Sequence, residues 1–178
     1  MQEFELLSLS HFLGFCICLA AIVFIPKLIQ AKPGLENFSK YLLIFLLVEN
    51  QIRSTYVETL IKGGNLLENL PLHLCDFSAI VIAVFLLTGF RPLFIFAYFW
   101  GIAGAGMSIL TPDSEFAFPH YEYFATMYGH SLILLAVVFS IVNLGQRPYL
   151  KDIPKLIFYS SILLAIMYGI NYILGANY

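Results

Sequence analysis

Charge is scarce in this sequence. Asp, Glu, Lys and Arg make up 11% of its 178 residues, against roughly 25% in soluble domains. A soluble domain needs a polar shell, and nine cations with eleven anions do not supply one. Nor is there a basic excess. The net charge of −2 excludes the footprint of a nucleic-acid binder. Three cysteines build no disulfide framework. There is no internal repeat, low-complexity tract or second domain. The leader is acidic (Glu3, Glu5) and the chain runs from its first apolar stretch straight into a second, which argues against a signal peptide. What is abundant is apolar surface: 60% hydrophobic residues, with 17 Phe and 11 Tyr. That composition is the opposite of disorder and describes a polytopic membrane protein.

Crossing a hydrocarbon core of ~30 Å takes about 20 apolar residues in a helix. Six stretches qualify, at about 8–29, 38–61, 71–88, 92–110, 121–143 and 153–174. Each is expected to be helical, because lipid offers no partner to unpaired backbone groups. Continuous apolar runs, without alternation, exclude a membrane β-barrel. The fold class is therefore all-α, a single bundle of six transmembrane helices over residues 1–178. The connections carry turn chemistry, as in Lys32-Pro33-Gly34, Gly63-Gly64-Asn65 and Gly89-Phe90-Arg91-Pro92.

Lys27, Lys32, Lys40, Arg91, Arg147, Lys151 and Lys155 fall at the connections after spans one, three and five, whereas the opposite connections hold Lys62 alone. The excess of cations on the cytoplasmic side of membrane proteins places the N-terminus outside the cell membrane. On that topology the polar residues of four spans converge near the outer leaflet. Span two carries Glu49, Asn50 and Arg53 in its outer half, and span three begins with His73, Cys75 and Asp76. Span five opens with His120, Glu122 and Tyr123 and holds His130 deeper. Span six exits with Asn171, Tyr172, Asn177 and Tyr178. Ionisable groups at such positions are costly and mark function, and the expected arrangement is a polar cavity open to the outer surface.

Cys75 is the candidate nucleophile, near a helix N-terminus where the dipole favours thiolate. A cysteine with a nearby histidine is the minimal acyl-transfer pair, the base taking the thiol proton and returning it to the leaving group. His130 is the first candidate for that base, with His73 and His120 as alternatives. The bland reading makes Cys75 a small buried hydrophobe. Cys16 and Cys18 read as packing residues of span one. Glu49 and Arg53, at i,i+4, can neutralise each other, and Tyr123, Met127 and His130 share a stripe of span five. No HxxxH or CxxC spacing supports a metal site, and no cofactor is expected. Gly101, Gly104, Ala105, Gly106 and Ser108 sit mid-span and read as close helix packing.

The motifs LPLHLCDFSAI (Leu70–Ile80), LTPD (Leu110–Asp113), FPHYEYF (Phe118–Phe124), GHSLI (Gly129–Ile133) and NYILGANY (Asn171–Tyr178) resemble those of the YwaF-type bacterial integral membrane proteins. That family is distantly similar to a eukaryotic transmembrane acyltransferase of ether phospholipids. The resemblance implies a lipid-modifying enzyme whose embedded cysteine corresponds to Cys75, with His130 as its histidine. His73 and Asp76 would orient the reacting groups, and Asn171, Tyr123 or Arg53 would hold an ester oxygen or a phosphate. It also implies a further hydrophobic span beyond the NYILGANY motif, making this chain a truncated seven-helix member. The expected partners are membrane lipids and a lipid or small-molecule substrate. The alternative is a small-solute transporter or ligand-binding membrane protein that uses the same cavity without covalent chemistry.

Overall fold

The computed structural model describes residues 3–65, 67 and 70–176. Asn177 and Tyr178, the end of the NYILGANY motif, lie outside the described residues. Six helices carry the fold: α1 (Leu9–Gln30), α2 (Glu36–Tyr56), α3 (Leu74–Thr88), α4 (Arg91–Leu110), α5 (Tyr121–Val142) and α6 (Ile153–Leu174). Single π-turns extend α2 over Val57–Ile61 and interrupt α4 at Gly101–Ala105. The other pairing among the described residues is an isolated antiparallel bridge, Glu3 to Phe116.

Successive helices run up and down. One end of the bundle gathers the N-terminal segment, the α2–α3 connection and the α4–α5 connection, where Phe4 N–H donates to the Glu115 carbonyl (2.9 Å). The other end gathers the remaining connections. There Gln30 Nε2 donates to the Val142 carbonyl (3.0 Å), and Arg91 grips both carboxylate oxygens of Asp152 (3.0 and 2.7 Å). The second end carries the seven clustered cations, so the charge asymmetry of the sequence is an asymmetry between the two ends of the bundle.

Four segments are long and apolar enough to cross a membrane: α1, α4, α5 and Leu150–Leu174. The other two depart from that type for separate reasons. The second half of α2 holds Glu49, Arg53 and Glu58. The third span was expected from Pro71, but α3 starts at Leu74, because the Asp76 carboxylate accepts the His73 backbone N–H (3.1 Å) and fixes the first turn there. Gly89, at φ +70°, ends it. Fifteen residues make a helix of about 22 Å.

The main core lies between α2, α3, α4 and α5, around Leu47, Ile82, Phe85, Phe94, Val137 and Phe139. A smaller cluster of Ile22, Ile109, Tyr123 and Met127 ties α1 and the end of α4 to α5. Cys18 packs on this second cluster, whereas Cys16 is exposed. The small residues of α4 do not act as one packing stripe. A Cβ on Gly101 would sit 3.1 Å from Ile133 Cγ2, but Gly104 and Gly106 have nothing within 4 Å. Helix α6 buries none of its described residues and meets the bundle at a few points, notably Trp100 Nε1 donating to Ser160 Oγ (3.1 Å).

Candidate functional site

A polar cavity of about 450 Å³ opens between α2, α3 and α5 at the end that holds the N-terminus. Its size lies within the roughly 300–1,000 Å³ of small-molecule sites. Cys75 and Asp76 come from the first turn of α3. Asn50, Gln51 and Arg53 come from α2, Thr126, Gly129 and His130 from α5, and Asp113 and Glu115 from the α4–α5 connection.

His130 Nδ1 lies 2.8 Å from the Thr126 carbonyl. A carbonyl only accepts, so Nδ1 carries the proton, and in the neutral ring Nε2 is the basic nitrogen. Cys75 and His130 line the same void, although among the described residues no hydrogen bond joins them. Asp76 is held from both sides. Gln51 Nε2 donates to its Oδ1 (2.9 Å), while Oδ2 takes the His73 N–H. The carboxylate beside Cys75 is thus tied to α2 and to its own helix.

Arg53 is the most constrained cation of the site. Nε donates to Glu49 Oε1 (3.1 Å), Nη2 to Asn50 Oδ1 (2.6 Å) and Nη1 to the Tyr121 hydroxyl (2.6 Å). The guanidinium also lies 5.7 Å from the Tyr128 ring centroid. Three of its five N–H groups are committed, which leaves two for a ligand. Asn50 is pressed against α5, where a Cβ on Gly129 would stand 2.9 Å from Asn50 Nδ2. The glycine before His130 is what lets α2 approach. At the rim Lys62 Nζ donates to Glu122 Oε1 (2.6 Å) and pairs with Glu58 (3.0 Å). The hydrogen bond to Glu122 is the largest reason the ammonium is held above its usual value. The strut between α2 and α5 persists at neutral pH and is lost as pH rises through that raised value, or falls far enough to protonate Glu122.

Not every expected residue reaches the cavity. Glu49 acts through Arg53. His73 is exposed at the start of α3. His120 sits ahead of α5, its ring 4.7 Å from that of Phe116 and its Nδ1 4.0 Å from Glu122. Tyr123 turns to α1, where its buried hydroxyl lies 3.3 Å from His11 Nδ1. Asn171 belongs to α6, which lies along α4 rather than around the cavity, so three helices converge instead of four. Gln51, Tyr121, Thr126, Gly129 and Glu115 are among the lining residues not singled out in the sequence as site members. Gln51 had a signal, a third polar side chain in a row after Glu49 and Asn50. His11 also went unremarked; its Nε2 lies 3.1 Å from the Leu110 carbonyl, closing the cluster with Tyr123.

The arrangement defines an all-helical protein of the membrane-spanning type with a polar cavity lined by Cys75, His130 and an anchored Arg53. The TMEM164 family matches over residues 4–178, and the chain belongs to that family. It is 31% identical over 121 residues to an uncharacterised protein of Treponema pallidum (strain Nichols), an alignment that covers 67% of this chain and 50% of the relative. The chain thus spans about half the length of that relative. No solved structure matches.

Proposed function

We propose that the cavity is the reaction centre of a cysteine-dependent lipid acyltransferase in the cell membrane, its mouth and the N-terminus on the extracytoplasmic side. The observation that carries this reading is the shared void of Cys75 and His130, with Nδ1 committed to Thr126 and Nε2 left as the base. Similarity to the YwaF-type proteins and their acyltransferase relative supports it, and the seven-to-one distribution of cations supports the orientation.

In the first half-reaction His130 Nε2 takes the thiol proton as Cys75 Sγ attacks the ester carbonyl of a donor lipid. A carbon–sulfur bond forms, the carbon–oxygen ester bond breaks, and the proton passes from His130 to the leaving lysolipid oxygen. In the second, the hydroxyl of an acceptor lysolipid gives its proton to Nε2 and attacks the thioester. The new ester forms and the proton returns to sulfur. The two spare N–H groups of Arg53 suit a lipid phosphate at the mouth. Asp76, held by Gln51 and the His73 amide, fixes the turn that presents Cys75.

The test is acyl exchange between a labelled phospholipid and a lysophospholipid by the purified protein. Cys75→Ala is expected to abolish exchange, and His130→Gln to slow it by about 10²–10⁴. Full activity in Cys75→Ala would remove the mechanism. The absence of a Cys75–His130 hydrogen bond favours a second reading, a non-covalent solute site in a membrane transporter or binding protein. On that reading Cys75→Ser retains ligand binding, whereas Arg53→Gln and His130→Ala lose it.

A further inference from the structure

Away from the polar cavity, an apolar groove of about 610 Å³ runs between α3, α4 and α6. It exists because α6 stands off the bundle and buries none of its described side chains. Val81 and Phe96 line one wall, Leu163 and Ile166 the other, and Trp100 lies partway along it. At the cation-rich end the groove closes on Arg91 and Lys155. Arg91 is occupied by Asp152 and by the Arg147 carbonyl (3.0 Å). Lys155 is exposed and, among the described residues, has no acidic partner. That end therefore holds two cations against one carboxylate, Asp152, which Arg91 already engages; Lys155 is the cation left over, and the rest of the groove is mostly hydrocarbon-like.

Length and charge together select the occupant. From Lys155 to Ile166 the groove follows eleven residues of helix, about 16 Å at ~1.5 Å per residue. One leaflet of hydrocarbon is about 15 Å deep, half of the ~30 Å core. A lipid of that leaflet can lay an acyl chain along the groove with its head level with Lys155. Basic pockets between membrane helices recognise anionic head groups in this way. We infer that the α3–α4–α6 groove is a binding site for an anionic glycerophospholipid, its phosphate at Lys155 and one acyl chain against Val81, Phe96 and Leu163. This lipid enters from the end of the bundle opposite the Cys75 cavity, so it is not the substrate of the reaction proposed above.

The purified full chain is titrated with phosphatidylglycerol or phosphatidylcholine in detergent, with bound lipid read by native mass spectrometry. Wild type is expected to retain one phosphatidylglycerol in preference to phosphatidylcholine. Lys155→Gln is expected to weaken retention by about fivefold, the effect of one cation near a membrane surface, and Lys155→Arg to preserve it. Leu163→Trp fills the groove without changing charge and is expected to abolish the tightly held lipid, with acyl exchange at Cys75 unchanged. Lys27→Gln, at the same end but outside the groove, is expected to change nothing. Equal losses in Lys155→Gln and Lys27→Gln, no head-group preference, or full retention by Leu163→Trp would each overturn the assignment. A dimer formed through α6 that phosphatidylglycerol does not displace would overturn it in favour of a second copy.

Discussion

Asn50 faces two ways: its oxygen accepts from Arg53, and its amide leans on the backbone at Gly129. A methyl group at position 129 would fall 2.9 Å from Asn50 Nδ2. Gly129→Ala is expected to destabilise the protein by about 1–3 kcal/mol, the usual cost of overpacking. Because the clash is with one side chain, Asn50→Ala should relieve part of it. The double variant is expected to be more stable than the sum of the single losses by at least ~0.5 kcal/mol. Thermal unfolding of all four proteins in detergent measures this, and strict additivity would locate the clash elsewhere. At this scale the sequence was informative about chemistry and less so about direction. Cys75, Asp76, Arg53 and His130 could be picked out because polar groups in apolar spans are costly. Tyr123 and His130 share a stripe by helical period, yet Tyr123 meets His11 of α1 and His130 the cavity beside α2 and α3. The neighbours of one stripe change along a helix that crosses its partners, and no periodicity in one helix encodes that.

Helix α6 is fastened chiefly at its start and by one bond in its first half. The fork of Arg91 onto Asp152, with the same side chain on the Arg147 carbonyl, joins the start of α4 to the turn before α6. Bidentate geometry makes this stronger than an ordinary exposed pair, with Asp152 buried and Arg91 partly exposed. Arg91→Gln is expected to accelerate tryptic cleavage after Lys151 while leaving the core helices protected. Unchanged cleavage would mean that the α6 turn is held by something else. The six helices themselves were legible from apolar runs and turn residues. Their irregular parts were less so. The π-turns at Val57–Ile61 and Gly101–Ala105 carry no Pro, and the late start of α3 depends on a capping contact between His73 and Asp76. The sixth helix was expected to bring Asn171 to the cavity. Its apolar residues run all round, so its sequence does not say which side meets the bundle.

The bundle has two unlike ends, and the charge difference between them predicts an orientation in the membrane. With the cation-rich end in the cytoplasm, the Lys62 rim faces outward and the Arg147 connection inward. In a background with Cys16, Cys18 and Cys75 replaced by serine, a thiol placed by Lys62→Cys should react with a membrane-impermeant maleimide on intact cells. One placed by Gln146→Cys should react only after permeabilisation. The reverse pattern would invert the topology and put the cavity mouth on the other side. The cation count was readable from the chain alone. The standing-off of α6 and the groove it leaves were not, because they depend on how far apart two apolar surfaces settle.

If Cys75 carries an acyl group between two lipids, that group can be weighed on the protein. The purified protein, incubated with phospholipid and quenched in acid, is weighed intact and after hydroxylamine. A gain of one acyl mass at Cys75 that hydroxylamine removes is expected in wild type, with none in Cys75→Ala and a much slower gain in His130→Gln. An adduct at Cys16 or Cys18 to the same extent, or active lipid exchange with no thioester at Cys75 on any timescale, would contradict the account.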